Sequence, residues 1–144
     1  MRGRERAWYL FSMSAIVSAE QGVRIAEAAE RAGLRLVVLF GSRARGEAGP
    51  ASDWDFGYLS SDSSDPDALL EALVDSLRSD RIDLVDLGRA GALIRYRAAR
   101  DGHCLFEDEP RRFERFQLEA ASFWCDVEPV LRQAYAQLLA EIAR

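Results

Sequence analysis

Two periods alternate along this chain. From Ser18 to Ala32 the apolar positions Val23, Ile25, Ala26, Ala29 and Ala32 recur at helical spacing. Ser18 with Gln21 three residues on has the form of a capping box, and Gly33 closes the helix. Leu34 to Phe40 is then an apolar run rich in Val and Leu and bounded by glycines, which predicts a strand. Ser42 to Glu47 predicts a short helix or turn, and residues 48–52 a loop. Asp53 to Leu59 switches to a period of two. Asp53, Asp55 and Gly57 share one face, while Trp54, Phe56 and Tyr58 share the other and point to a core. Gly57 is an expected weak point within that strand.

A polar loop follows, and then Asp65 as cap with Pro66 as the first residue of a helix to about Arg78. Its buried side carries Leu69, Leu70, Leu73, Val74 and Leu77. Arg81 to Leu87 predicts a third strand, Gly88 to Arg100 a turn and short helix, and Gly102 to Glu107 a small fourth strand. A long helix begins at Pro110 and runs to about Ala143. Pro129 inside it is expected to kink or split it. The order implies an α/β fold: a small mixed sheet with helices packed on it and a helical C-terminal tail. One domain over residues 1–144 is expected, with a core at about 17–107 and terminal helices at about 110–143.

Composition narrows the classes. With 49% hydrophobic and 30% charged residues, the chain suits a soluble globular protein. A net charge of -5 argues against stable nucleic-acid binding, which needs a basic face. All nineteen basic residues are Arg. Cys104 and Cys125 lack the spacing of a zinc site and read as free thiols of a reducing, cytoplasmic setting. The start, MRGRER followed by a mostly apolar stretch, has some features of a secretory signal. The favoured reading is a first amphipathic helix, or an upstream extension with Met13 as initiator. No apolar run reaches the length of a membrane span.

The candidate chemistry sits between residues 34 and 59. Gly41 allows a sharp turn and close approach of backbone to phosphate, and the Ser42 hydroxyl adds a hydrogen-bond donor. Asp53 and Asp55 lie two residues apart on one strand face, roughly 6.6 Å between Cα atoms. Two carboxylates facing the same way repel unless a divalent cation lies between them, and oxygen-only ligands indicate magnesium or manganese. Asp83, on the next strand in sequence, is the candidate third carboxylate. Asp86 falls on the opposite face and reads as a surface residue. Arg43 is a candidate phosphate contact; Arg45 is a weaker one, with a salt bridge to Glu47 as its alternative. The lone histidine, His103, reads as packing or surface rather than catalysis.

Gly41-Ser42, ten residues, then Asp53-x-Asp55 resembles the signature of the polymerase-β-like nucleotidyltransferase superfamily. The string GSRARGEAGPASDWD resembles its minimal nucleotidyltransferases, and RIDLVDL resembles the strand that brings their third aspartate. The resemblance implies the nucleotidyltransferase fold and transfer of AMP from ATP to a hydroxyl, with Mg2+ or Mn2+. It further implies an antitoxin whose acceptor is a tyrosine of a helical HEPN ribonuclease toxin. Gly41, Ser42 and Arg43 would hold phosphate; Asp53, Asp55 and Asp83 would hold metal and carry catalysis. Trp54 and Phe56 depart from the small aliphatics usual there. Two other functions stay open: modification of a small-molecule hydroxyl such as an aminoglycoside's, or a non-catalytic antitoxin. A homo-oligomer also stays open.

Overall fold

The structure is a computed structural model that describes residues 16–144. The helix expected at the extreme N-terminus falls on residues 1–15, outside the described residues. Four strands form one mixed sheet: β1 (Leu36–Phe40), β2 (Trp54–Leu59), β3 (Ile82–Asp86) and β4 (His103–Glu107), in the order β3-β2-β1-β4. β1 runs antiparallel to β2 and β4, whereas β2 and β3 are parallel. A parallel pair cannot be joined by a hairpin. The crossover contains one of the five helices among the described residues: α1 (Ala19–Arg31), α2 (Gly41–Ala44), α3 (Pro66–Leu77), α4 (Ala92–Asp101) and α5 (Arg112–Ile142).

All five residues of β1 are buried, which explains its uninterrupted apolar sequence. Its side chains divide between two cores. Val37 and Leu39 join Phe56 against Ile25 and Ala29 of α1 and Leu69 and Leu73 of α3. Leu36, Val38 and Phe40 join Leu87 against Ala98 of α4 and Phe116 and Ala120 of α5. Each fully buried side chain of this size contributes about 1.5–3 kcal/mol over leaving it exposed. β1 is therefore the member to which the other elements are fixed. The expected alternation of β2 holds, since Phe56 is in the first core with Trp54 and Tyr58 packed against it. The opposite face of the strand carries Asp55 and Gly57.

Local signals account for the element boundaries. The Ser18 hydroxyl accepts from the Gln21 N–H at 3.1 Å, while the Gln21 side chain accepts from the Ser18 N–H at 3.0 Å, a complete capping box. Asp65 caps α3 and Pro66 opens it. The expected division at Pro129 does not occur, for α5 runs through 31 residues with the proline inside. Pro129 removes one backbone donor, but Cys125 one turn earlier is exposed, so water can satisfy the carbonyl left without a partner. Arg132 also donates to Glu128 at 2.9 Å, tying the two sides of the proline together. A β-bulge interrupts the pairing of β1 with β4 between Val37 and Val38, leaving Leu105 as the extra residue.

Gly57 proves to be a packing requirement rather than a weak point. A Cβ placed there would lie 2.6 Å from Cδ1 and 2.7 Å from Cγ of Leu87, a fully buried side chain. Leu87 thus fills the hollow over the glycine, and β2 continues without a break. Gly57→Ala is expected to destabilise the fold by about 1–3 kcal/mol through overpacking. A urea unfolding midpoint measures this, and adding Leu87→Val to Gly57→Ala should recover part of the loss.

Candidate active site

β1 ends at Phe40, and the chain turns at once into α2. Gly41 takes a φ of +79°, a conformation that side chains disfavour. Its position is also closed to any other residue, because a Cβ there would overlap the Asp55 carboxylate. The register explains the meeting: Phe40 pairs with Asp55 across β1 and β2, so the residue after Phe40 turns directly over that carboxylate. Ser42, half-buried, follows, and its carbonyl accepts from the Glu47 N–H at 2.9 Å, closing the turn.

The carboxylates come from two adjacent strands. Asp83 of β3 is the register partner of Asp55 in β2, so the two share a face about 4.8 Å apart at Cα. Asp53 precedes β2 on the same face. Asp53 and Asp83 are exposed and Asp55 is half-buried. Burial, then the negative charges of Asp83 and Asp53, push the Asp55 carboxyl above its ordinary value; the Arg45 guanidinium only partly offsets them. The cluster thus has more negative charge than its surroundings balance. Among the described residues, no three His, Cys, Asp or Glu side chains stand close enough to make a ready-formed metal cage. Asp86 lies elsewhere, beside Tyr58 on the opposite face, where it accepts from the Gly88 N–H at 2.9 Å and pairs with Arg89.

The basic residues are arranged differently from a simple phosphate cluster. Arg43 donates twice to the Ser52 carbonyl, at 3.1 and 2.7 Å, and stacks over the Trp54 ring at 4.2 Å. In these contacts the guanidinium holds the loop that delivers Asp53. Arg81 pins the same loop, donating to the Ala51 carbonyl at 2.6 Å. Trp54, which departs from the usual small aliphatics, is thereby the platform for Arg43. Arg45 makes the anticipated pair with Glu47 at 3.0 Å and a longer one with Asp101 at 3.5 Å. His103 bonds to the Ala44 carbonyl at 3.0 Å. Sequence reasoning missed these loop and turn contacts, since partners 9 to 59 residues apart leave no local pattern.

A mixed sheet with acidic residues of adjacent strands facing a glycine turn defines the nucleotidyltransferase class of folds. The chain belongs to the family described as "Polymerase beta, Nucleotidyltransferase", which matches residues 24–111, more than half its length. It is 35% identical over 96 residues to the protein adenylyltransferase MntA of Aphanizomenon flos-aquae (strain 2012/KM1/D3). That match spans 58% of this chain and 64% of the relative. The fold is similar to a chain in the crystal structure of a toxin–antitoxin with AMP-PNP, with a TM-score of 0.69. That superposition covers 82% of this chain and 98% of the other at 24% identity. It is also similar to a chain in the structure of tri-AMPylated Shewanella oneidensis HEPN toxin with MNT antitoxin. There the TM-score is 0.65, covering 83% and 97% of the two chains at 22% identity.

The raised Asp55 carboxyl has a consequence for stability. The folded state holds that proton more tightly than the unfolded chain, so Asp55 favours folding below the ordinary carboxylate value. That contribution is lost as pH rises through the folded value. Without divalent cations, Asp55→Asn should therefore raise the melting temperature at pH 7. The advantage should vanish below about pH 3.9, the unperturbed aspartate value. Thermal melts across pH check this, and added Mg2+ should stabilise the wild type more than the variant.

Proposed function

We propose that the chain is a metal-dependent nucleotidyltransferase that transfers AMP from ATP to a hydroxyl of a partner protein. The acceptor is a tyrosine of a HEPN-type toxin, so that the chain acts as an antitoxin in the cytoplasm. The observation that carries the reading is the seating of Gly41 over the Asp55 carboxylate, with Asp83 in register beside it. The relative named as a protein adenylyltransferase and the fold shared with an antitoxin bound to an AMPylated toxin support it.

The residues fit a hard divalent cation. The donors are all carboxylate oxygens, and the Asp55 carboxyl is raised first by burial and then by the negative charges of Asp83 and Asp53, which a cation would offset. Asp53, Asp55 and Asp83 would hold Mg2+ or Mn2+. Such an ion, when bound, neutralises phosphate charge and lowers the pKa of an attacking hydroxyl. The chain supplies the rest. Backbone at Gly41 comes close to the phosphates because no Cβ intervenes, and the Ser42 hydroxyl donates to a phosphate oxygen. Arg43 and Arg81 keep the preceding loop in place, which fixes Asp53. The acceptor oxygen attacks the α-phosphorus in line, a new P–O bond forms as the bond to the bridging oxygen breaks, and pyrophosphate leaves. Asp83 serves as ligand or takes the acceptor's proton.

The partner surface is the outer half of α5. Val130, Leu131, Tyr135, Leu138, Leu139 and Ile142 are all exposed on this helix, an apolar stripe that an all-helical toxin can cover.

Asp53→Ala with Asp55→Ala is expected to abolish transfer of labelled AMP while leaving the melting curve cooperative; transfer at the wild-type rate would overturn the catalytic reading. Asp83→Asn should slow transfer by at least about 100-fold, the scale of a lost general base. Leu138→Glu with Ile142→Glu should weaken co-purification with the toxin encoded beside the gene, whereas Arg97→Glu on α4 should not.

A further inference from the structure

The turn α2 straddles the end of the sheet. At its start Gly41 lies over Asp55, on the face that carries the carboxylates. At its end Ala44 packs into the core on the opposite face. Four residues make a single helical turn, too short to hold its own orientation. Its exit is instead held by the junction of α4 and β4. His103 Nε2 lies 3.0 Å from the Ala44 carbonyl, and Asp101 lies 3.5 Å from Arg45, the residue that follows. The junction is itself fixed, because a Cβ on Gly102 would overlap both the Val38 side chain and the Ala98 carbonyl.

A carbonyl oxygen can only accept, so the His103 nitrogen facing it must carry the hydrogen. We propose that His103 is a positioning residue for nucleotide binding: held as the Nε2–H form, it anchors the far end of the glycine turn. It thereby sets where Gly41 and Ser42 stand relative to Asp55. The inference rests on the phosphate-binding reading of that turn and adds a residue that touches neither phosphate nor carboxylate. The anchor acts on peptide orientation. When the Ala44 carbonyl is held toward β4, the turn cannot roll about the sheet edge, and Gly41 stays seated against the carboxylate. Without it, the exit keeps only the packing of Ala44 and the longer Arg45–Asp101 pair.

The chain contains one histidine, so its imidazole signals in an NMR spectrum are unambiguous. Long-range 1H–15N correlation should show hydrogen on Nε2, the nitrogen that faces the Ala44 carbonyl. A majority of the Nδ1–H form would overturn the anchor. The functional arm compares His103→Gln, His103→Asn and His103→Leu. A glutamine amide nitrogen reaches about as far as Nε2, while asparagine stops short. His103→Leu and His103→Asn should raise KM for MgATP by about three- to tenfold, the size of one hydrogen bond, with kcat changing less. His103→Gln should stay within about twofold of wild type. Thermal melts of all three separate anchoring from a general loss of fold. If His103→Leu binds and transfers like the wild type, or His103→Gln fails as badly as His103→Leu while equally stable, the proposal falls. A wild type that neither binds MgATP nor transfers AMP would instead overturn the nucleotidyltransferase reading on which it rests.

Discussion

The contact between a glycine and a carboxylate constrains everything around it. Gly41 and Asp55 are close enough that no side chain fits between them. Their meeting requires β1 and β2 to pair so that Phe40 lies opposite Asp55. That register in turn requires the cores on both faces, since a one-residue slip would send every side chain of β2 to the wrong side. Phe56 would leave its buried place, and Asp55 would enter it. Hydrophobic burial on one face therefore determines the position of the charges on the other.

Electrostatics then acts against the carboxylates themselves. Burial and the charges of Asp83 and Asp53 raise the Asp55 carboxyl, and one arginine, Arg45, moderates it. Such an arrangement is costly for the folded chain alone, and natural proteins carry costs of this kind at functional sites. Arg45 is shared with Glu47 and Asp101, so even that compensation is divided.

Much of this was legible from the chain because it rests on short-range periodicity. The alternation from Asp53 to Tyr58, the capping box at Ser18, the proline start of α3 and the glycine ends of β1 each depend on residues a few positions apart. Parity placed Asp83 and Asp86 on opposite faces but left open which of them joins Asp53 and Asp55; the parallel register of β2 with β3 pairs Asp83 with Asp55. What escaped depended on distant partners. The stacking of Arg43 on Trp54 and its hold on Ser52 are contacts that no local pattern announced. Gly57 looked weakening because nothing local indicated that Leu87 would lie over it. Pro129 was expected to kink or divide its helix; it does not divide it, and propensity alone does not register that this part of α5 is open to water.

The bulge between β1 and β4 carries one more implication. Side chains along a strand change sides at every step, so an unpaired residue acts as a phase shift for whatever precedes it. Leu105 is that residue, and with it His103 pairs with Leu39, on the same side as Ala44. Count the strand without Leu105 as an extra and His103 would stand opposite Phe40, turned to the other side of the sheet. Bulging Leu105 out of the ladder, rather than pairing it with Val38, thus selects the side on which the imidazole emerges.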